Sequence, residues 1–181
     1  NQLTTLDVSA LTNLQSLYCY SNRLTSLHLG NLTSITYLIC FTNQLTELNV
    51  SNLSSITSLQ CGSNLLTTLD LSGLTQLTSL GCQGNLFSTL EVGHLTMLES
   101  FSYGNSGLQV VNLHPLINLI ILSHRGSGMP SEVVLDLPNL QNFSCFDDPA
   151  ITTIDLSQCS SLLRANVGGN SALTYLNTKN G

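Results

Sequence analysis

The chain has 181 residues, of which 42% are hydrophobic and only 8% are charged, and its formal net charge is −6. Four lysines and arginines are too few to form the clustered basic surface that binds nucleic-acid phosphates, so we expect no nucleic-acid partner. The chain has no run of about 18 apolar residues, so we also expect no membrane insertion.

A unit of 21 residues is copied along the chain. Its apolar columns include Leu3/Leu24/Leu45/Leu66, Leu11/Leu32/Leu53/Leu74 and Leu17/Leu38/Leu59/Leu80. A fixed period of this length is typical of a solenoid, in which each coil buries its apolar side against its neighbours. We therefore predict a single solenoid over residues 1–181. Because the chain opens inside a repeat and shows no polar capping element, we expect an excerpt of a longer protein.

Each coil contains two short stretches in which apolar and polar residues alternate, and this period of two predicts strands. Neither half leaves room for a helix, so we predict a mostly β solenoid of about eight coils, with two parallel sheets and few or no helices. The first sheet is predicted at residues 16–20, 37–41, 58–62, 79–83, 100–104, 121–125, 142–146 and 164–168. The second is predicted at residues 5–8, 26–29, 47–50, 68–71, 89–92, 110–113 and 153–156.

The repeat becomes irregular at about residues 125–150. Gly126, Gly128 and three prolines interrupt the pattern there. Glu132 falls in an apolar column, and one extra residue is needed before Ile151 to restore the register. We predict a distorted coil with a bulging turn near residues 129–133.

Five of the six cysteines share one column, whose other members are aromatic, imidazole or aliphatic. The column holds Cys19, Cys40, Cys61, Cys82, Tyr103, His124, Cys145 and Val167. A position that accepts such residues is a core position rather than a metal ligand, and we expect no metal and no cofactor. Neighbouring strands lie about 4.8 Å apart, so a disulfide between coils stays open as an alternative.

A column of asparagines marks the point where the chain leaves the first sheet. Asn22, Asn43, Asn64 and Asn85 stand 21 residues apart, and the column is interrupted at Ser106 and Ser127 before it returns at Asn170. A side-chain amide at such a point can bond the backbone groups that a turn leaves unpaired. We predict that this column is structural.

The segment L-xx-L-x-C-xx-N-x-L, present at residues 14–24, resembles the conserved part of the leucine-rich repeat family. The second half, L-xx-L-[DHNE]-[LV] at residues 24–29 and 66–71, is similar to the nested 21-residue bacterial type called IRREKO. The resemblance implies an arc or rod whose first sheet is the recognition face. It also implies an extracellular or cell-surface protein that binds other proteins.

Aromatic side chains cluster at the outward-facing positions of the first two coils. The predicted ligand-binding residues are Tyr18, Tyr20, Tyr37, Ile39 and Phe41. Contiguous exposed aromatics are typical anchors for protein recognition and for sugar stacking, so we predict a protein or glycan ligand. The alternative is that they pack under a missing N-terminal cap or against a neighbouring copy.

Three roles other than that of a binding module stay open as alternatives. The solenoid could serve as a structural spacer, or as an adhesin or filament element that self-associates through uncapped ends. Ladders such as Thr4/Thr25/Thr46/Thr67 leave ice binding as a minor alternative, although they do not form paired rows on a strand. We predict that the chain is not an enzyme, because it lacks the nucleophile-elbow, HExxH, P-loop and dinucleotide-binding motifs.

Overall fold

The computed structural model describes residues 1–105 and 107–179, and these residues form a parallel β-solenoid without helices. None of them forms a segment that could cross a membrane as a helix. The strands are β1 (Thr5–Asp7), β2 (Ser16–Tyr18), β3 (Ser26–His28), β4 (Tyr37–Ile39), β5 (Ser58–Gln60), β6 (Ser79–Gly81), β7 (Ser100–Tyr103), β8 (Ile121–Arg125), β9 (Glu132–Val134), β10 (Asn142–Phe146), β11 (Thr153–Asp155), β12 (Arg164–Asn166) and β13 (Tyr175–Asn177).

The first sheet is continuous and parallel, with its eight strands in the order β12-β10-β8-β7-β6-β5-β4-β2. Its register follows the repeat, so that Leu17 lies beside Leu38 and Leu38 beside Leu59. These leucines point inward and pack one coil on the next, and Leu38 and Leu59 are fully buried. The predicted fold, a parallel β-solenoid of about eight coils without helices, is confirmed.

Asparagine amides determine where several first-sheet strands end. The Asn43 Nδ2 group donates to Cys19 O and to Cys40 O, at 3.0 Å each. Asn64 and Asn85 repeat this pattern in the next two coils. Because the amide takes the carbonyl at the cysteine position, β2, β4, β5 and β6 end two residues before the predicted limit. Strands β8 and β10, whose coils have no asparagine at this position, extend as far as predicted.

The interruption of the asparagine column is only partial. Ser127 Oγ accepts hydrogen bonds from the N–H groups of Gly107 (2.9 Å) and Leu108 (3.0 Å), so it keeps the acceptor role of the missing amide oxygen. The next position in the column holds Asp148, which is buried and bonds to His124. The other predicted interruption, Ser106, lies outside the described residues.

Among the residues that the structure describes, strands on the opposite side of the solenoid pair only at its two ends. There β1 pairs with β3, and β9, β11 and β13 form a three-stranded sheet. The strands predicted at residues 47–50, 68–71, 89–92 and 110–113 do not form, so these four strand predictions are wrong and the second sheet is present in part. The alternation of apolar and polar residues shows which side chains are buried, and Leu48 and Leu113 are indeed buried. Strand pairing requires in addition that neighbouring coils lie at hydrogen-bonding distance.

The irregular coil differs from the prediction in its register. Glu132 is exposed, and Val133 instead takes the buried position and pairs with Ile154. The chain gains one residue between β8 and β9, and Gly126 and Gly128 accommodate it with φ values of +93° and +122°. Part of the predicted bulging turn at residues 129–133 is therefore a strand. Paired residues of β10 and β12 are 22 positions apart in the sequence, one more than in the regular repeat.

The five cysteines of the column, Cys19, Cys40, Cys61, Cys82 and Cys145, are buried and are not joined by disulfides between coils. Burial raises the pKa of Cys19 to about 11 and that of Cys82 to about 12, and raises the pKa of Cys61 well above its usual value. Since the thiolate is the reactive form, we expect the cysteines of the column to react slowly in the folded state.

We expect the native protein at pH 8 to resist alkylation by iodoacetamide over hours, and to label at all six cysteines once it is unfolded in urea. Mass spectrometry of the labelled protein measures this directly. Rapid labelling of Cys40 or Cys61 under native conditions would contradict the buried column.

Candidate functional site

The predicted site residues come together on the outer face of the first sheet. Strand alternation turns Leu17 and Leu38 inward, so their neighbours on β2 and β4 face solvent, and Tyr18 lies directly beside Ile39 in the parallel register. Tyr18 is 62% exposed and Ile39 is half-buried. We call the group Tyr18, Tyr20, Tyr37, Ile39 and Phe41 the aromatic patch.

Two rings of the patch are stacked just beyond the strand ends. The ring centroids of Tyr20 and Phe41 lie 4.8 Å apart, with an interplanar angle of 12°. The residues that follow them, Ser21 and Thr42, have φ values of +52° and +56°, which turns the chain away and leaves both rings at the surface. Stacking holds the two side chains in one arrangement, so less conformational entropy is lost when a ligand covers them.

The surface beside the patch is flat and carries side-chain amides. Gln60 lies across Gly81, where an added Cβ would collide with it, and its Nε2 group donates to Ser79 Oγ at 3.0 Å. Gln83 lies against Gly62, where a Cβ would stand 3.0 Å from the glutamine Cδ. The site predicted from the sequence did not include these two glutamines. The available signal was that glutamine and glycine occupy the same position in adjacent coils, so that the glutamine side chain can lie over the glycine of the neighbouring strand.

Charge is distributed unevenly along the first sheet. The aromatic patch contains no charged residue, whereas Arg125 near the other end forms an exposed ion pair with Asp147, with Nε and Oδ2 3.0 Å apart. Because both side chains are more than half exposed, this pair contributes little to stability. The neutral end is therefore suited to apolar and hydrogen-bonded contact.

Within residues 1–105 and 107–179, no group of three or more histidine, cysteine, aspartate or glutamate side chains could hold a metal ion. The threonines of the predicted ice-binding ladders are partly engaged with backbone, since Thr25 Oγ1 donates to Thr4 O at 3.2 Å. The aromatic patch therefore offers an exposed surface that is largely apolar.

Solved structures of bacterial proteins have the same architecture. The functional domain of InlJ from Listeria monocytogenes, which includes a cysteine ladder, is 26% identical and aligns over 96% of this chain and 48% of its own, with a TM-score of 0.56. A leucine-rich repeat protein of Leptospira interrogans is 22% identical, aligning over 96% of this chain and 48% of its own, with a TM-score of 0.76. The internalin InlF of Listeria monocytogenes is 24% identical, over 97% and 52%, with a TM-score of 0.61.

The fold is that of a bacterial leucine-rich repeat protein. The chain spans about half the length of the three proteins above, 48 to 52% of each. No family model matches its sequence, and no curated protein does. This chain has its own column of buried cysteines, Cys19, Cys40, Cys61 and Cys82, which lies in the core and not at the aromatic patch.

Proposed function

We propose that this chain is a non-catalytic recognition module of a secreted or cell-surface bacterial protein, and that its aromatic patch binds a protein ligand. The observation that carries the proposal is the preorganised, exposed stack of Tyr20 on Phe41. The likeness to bacterial leucine-rich repeat proteins, one of them an internalin, supports an interaction role.

The physical chemistry of the patch favours a protein surface as its ligand. Tyrosine and phenylalanine present a large apolar area with few rotatable bonds, and tyrosine is enriched among the residues that dominate interface energies. Gln60 and the neighbouring serine hydroxyls supply hydrogen bonds at the rim of the patch. The flat sheet matches a broad partner surface better than a small ligand, which needs a concave site.

The partner is to be identified by photocross-linking from the native environment. A photoreactive residue replaces Tyr18 at the patch, and in the matched control it replaces Ser144, which lies in the same outward column on β10. We expect one protein to cross-link from the patch and not from the control. Identical cross-linking from both positions would overturn the assignment of the site.

The affinity of the purified partner is then compared between variants. Tyr18→Ser, Tyr20→Ser and Phe41→Ser together are expected to raise Kd more than about 100-fold, since clustered aromatic anchors carry most of an interface's energy. Leu86→Ser, which changes a 57% exposed apolar side chain outside the patch, should leave Kd unchanged. Loss of binding after enzymatic deglycosylation of the partner would assign the patch to a glycan instead.

A further inference from the structure

The irregular coil opens a groove on the side of the solenoid opposite the first sheet. The groove has a volume of about 460 Å³ and is lined by residues 110–114, 129–130 and 133–137. Its floor is apolar and buried, formed by Val111, Leu113, Met129, Val133, Leu135 and Leu137. Val110 and Val134 stand at its rim and are 61% and 70% exposed. The volume is within the range of sites that bind ligands in proteins.

One wall of the groove is a strand with an unpaired edge. Ser131 O accepts hydrogen bonds from Thr152 N and Thr153 N, and Leu135 N donates to Asp155 O at 3.1 Å, so these residues face β11. In a strand, the backbone groups of alternate residues point to opposite edges. The N–H and C=O groups of Glu132 and Val134 therefore face the groove.

Only the end of the groove is closed by a backbone bond. Val111 N donates to Gly128 O at 3.0 Å, just before the strand begins. Over residues 110–114 and 129–137, all of which the structure describes, no backbone hydrogen bond joins Glu132 or Val134 to the preceding coil. An exposed strand edge of this kind is a template for pairing with another extended segment.

The charges around the groove are negative. Asp136 lines it, no lysine or arginine does, and the whole chain has a net charge of −6. Glu132 adds a second exposed carboxylate on β9. A ligand with positive charge beside its apolar side chains is complementary to these groups.

We propose that the groove binds an extended peptide segment of a partner protein, which adds a parallel strand to the free edge of β9. Alternate apolar side chains of the segment pack on the buried floor, while lysine or arginine side chains lie near Asp136 and Glu132. This mode, in which backbone hydrogen bonds provide affinity and side chains provide selectivity, is β-strand addition. It uses neither the aromatic patch nor its ligand.

The test uses the full chain and a synthetic peptide, acetyl-Lys-Val-Thr-Val-Lys-amide. Its two valines share one face of a strand and its lysines lie on the other. We expect saturable binding in ¹⁵N-resolved NMR titrations, with shifts concentrated at the amides of Glu132 and Val134. The same peptide with N-methylated valines, which cannot donate from its backbone at those positions, should bind at least tenfold more weakly. Equal binding of the N-methylated peptide, or no shift at these amides at millimolar peptide, would overturn the proposal.

Variants of exposed residues separate the groove from general stickiness. Val134→Lys places a positive charge at the rim without altering the buried floor, so it should weaken the lysine peptide at least tenfold. Leu86→Lys makes the same kind of change on another exposed apolar side chain and should have no effect. Equal weakening by both variants would indicate a non-specific charge effect and would contradict the proposal.

Discussion

Replacing Asn64 with alanine is expected to lower the free energy of unfolding by about 3–5 kcal/mol. The Asn64 amide is buried and donates to Cys40 O (3.1 Å) and Cys61 O (3.0 Å), while its Oδ1 accepts from Leu45 N at 3.0 Å. Each buried polar group left without a partner costs about 1–3 kcal/mol. The substitution leaves at least one backbone N–H group and one carbonyl group without a partner, at a place where water has little access. It also removes the side-chain hydrogen bonds by which Asn64 joins its coil to the preceding one.

The chain provides a matched control in its first coil. Asn22 makes corresponding bonds, to Leu3 N at 3.2 Å and to Cys19 O at 3.1 Å, but it is only half-buried. Water can replace its bonds, so Asn22→Ala should cost no more than about 1 kcal/mol. Urea unfolding followed by circular dichroism measures both variants. Equal losses at the two positions would contradict the view that buried amides hold the coils together.

The second large effect concerns pH, because one coil has a histidine in the cysteine column. His124 is fully buried, with Nε2 within 3.2 Å of Asp148 Oδ2 and 3.1 Å of Gly126 O, and with no partner at Nδ1. Burial lowers the pKa of His124 below its usual 6.5, although Asp148 and the Gly126 carbonyl oppose this. The other titratable groups that face it are Tyr103 and Cys145.

The direction of the pH effect follows from proton binding. Below pH 6.5 the unfolded chain binds a proton at His124 that the folded chain does not, so acid favours unfolding. We expect stability to be constant above about pH 6.5 and to fall below it towards the folded pKa, by at most about 1.4 kcal/mol per pH unit. The exposed carboxylates of Asp7 and Asp70 have pKa values lowered by hydrogen bonds from the serines two residues on, so their contribution is lost only at more acidic pH.

Replacing His124 and Asp148 with the cysteine and asparagine that regular coils have at these positions tests this explanation. His124→Cys combined with Asp148→Asn removes the titrating group and the unpartnered Nδ1 atom, so we expect a gain of about 1–2 kcal/mol at pH 7. The fall in stability between pH 6.5 and 5 should largely disappear. Denaturant titrations at pH 5, 6, 7 and 8 measure both effects. A double variant that keeps the full pH dependence would show that another group is responsible.

The structure of the regular coils could be predicted because their strand register follows directly from the repeat of the inward-facing leucines. Inward leucines such as Leu38 and Leu59 repeat every 21 residues, and the structure pairs them at that offset. The absence of strands at residues 47–50 and 110–113 could not be predicted in this way. Burial follows from the pattern of a single coil, whereas pairing depends on the distance between neighbouring coils, which the pattern of one coil does not contain.

The same distinction applies to the candidate sites. Alternation along β2 and β4 was enough to place Tyr18 and Tyr37 on one exposed face. The groove beside β9 was missed because the extra residue before Glu132 shifts the phase, and a single sequence does not show where a coil absorbs such an insertion. Glycines with positive φ, as at Gly126 and Gly128, were the available indication.

Hydroxyl-radical footprinting of the complex with the cross-linked partner tests the proposed binding face most directly. Tyr18 and Tyr37, which are 62% and 46% exposed, should be oxidised several-fold more slowly when the partner is bound. Met97 and Val134, which are exposed away from the patch, should be oxidised at unchanged rates. Unchanged oxidation of both tyrosines under saturating partner would show that the ligand binds elsewhere and would contradict the proposed function.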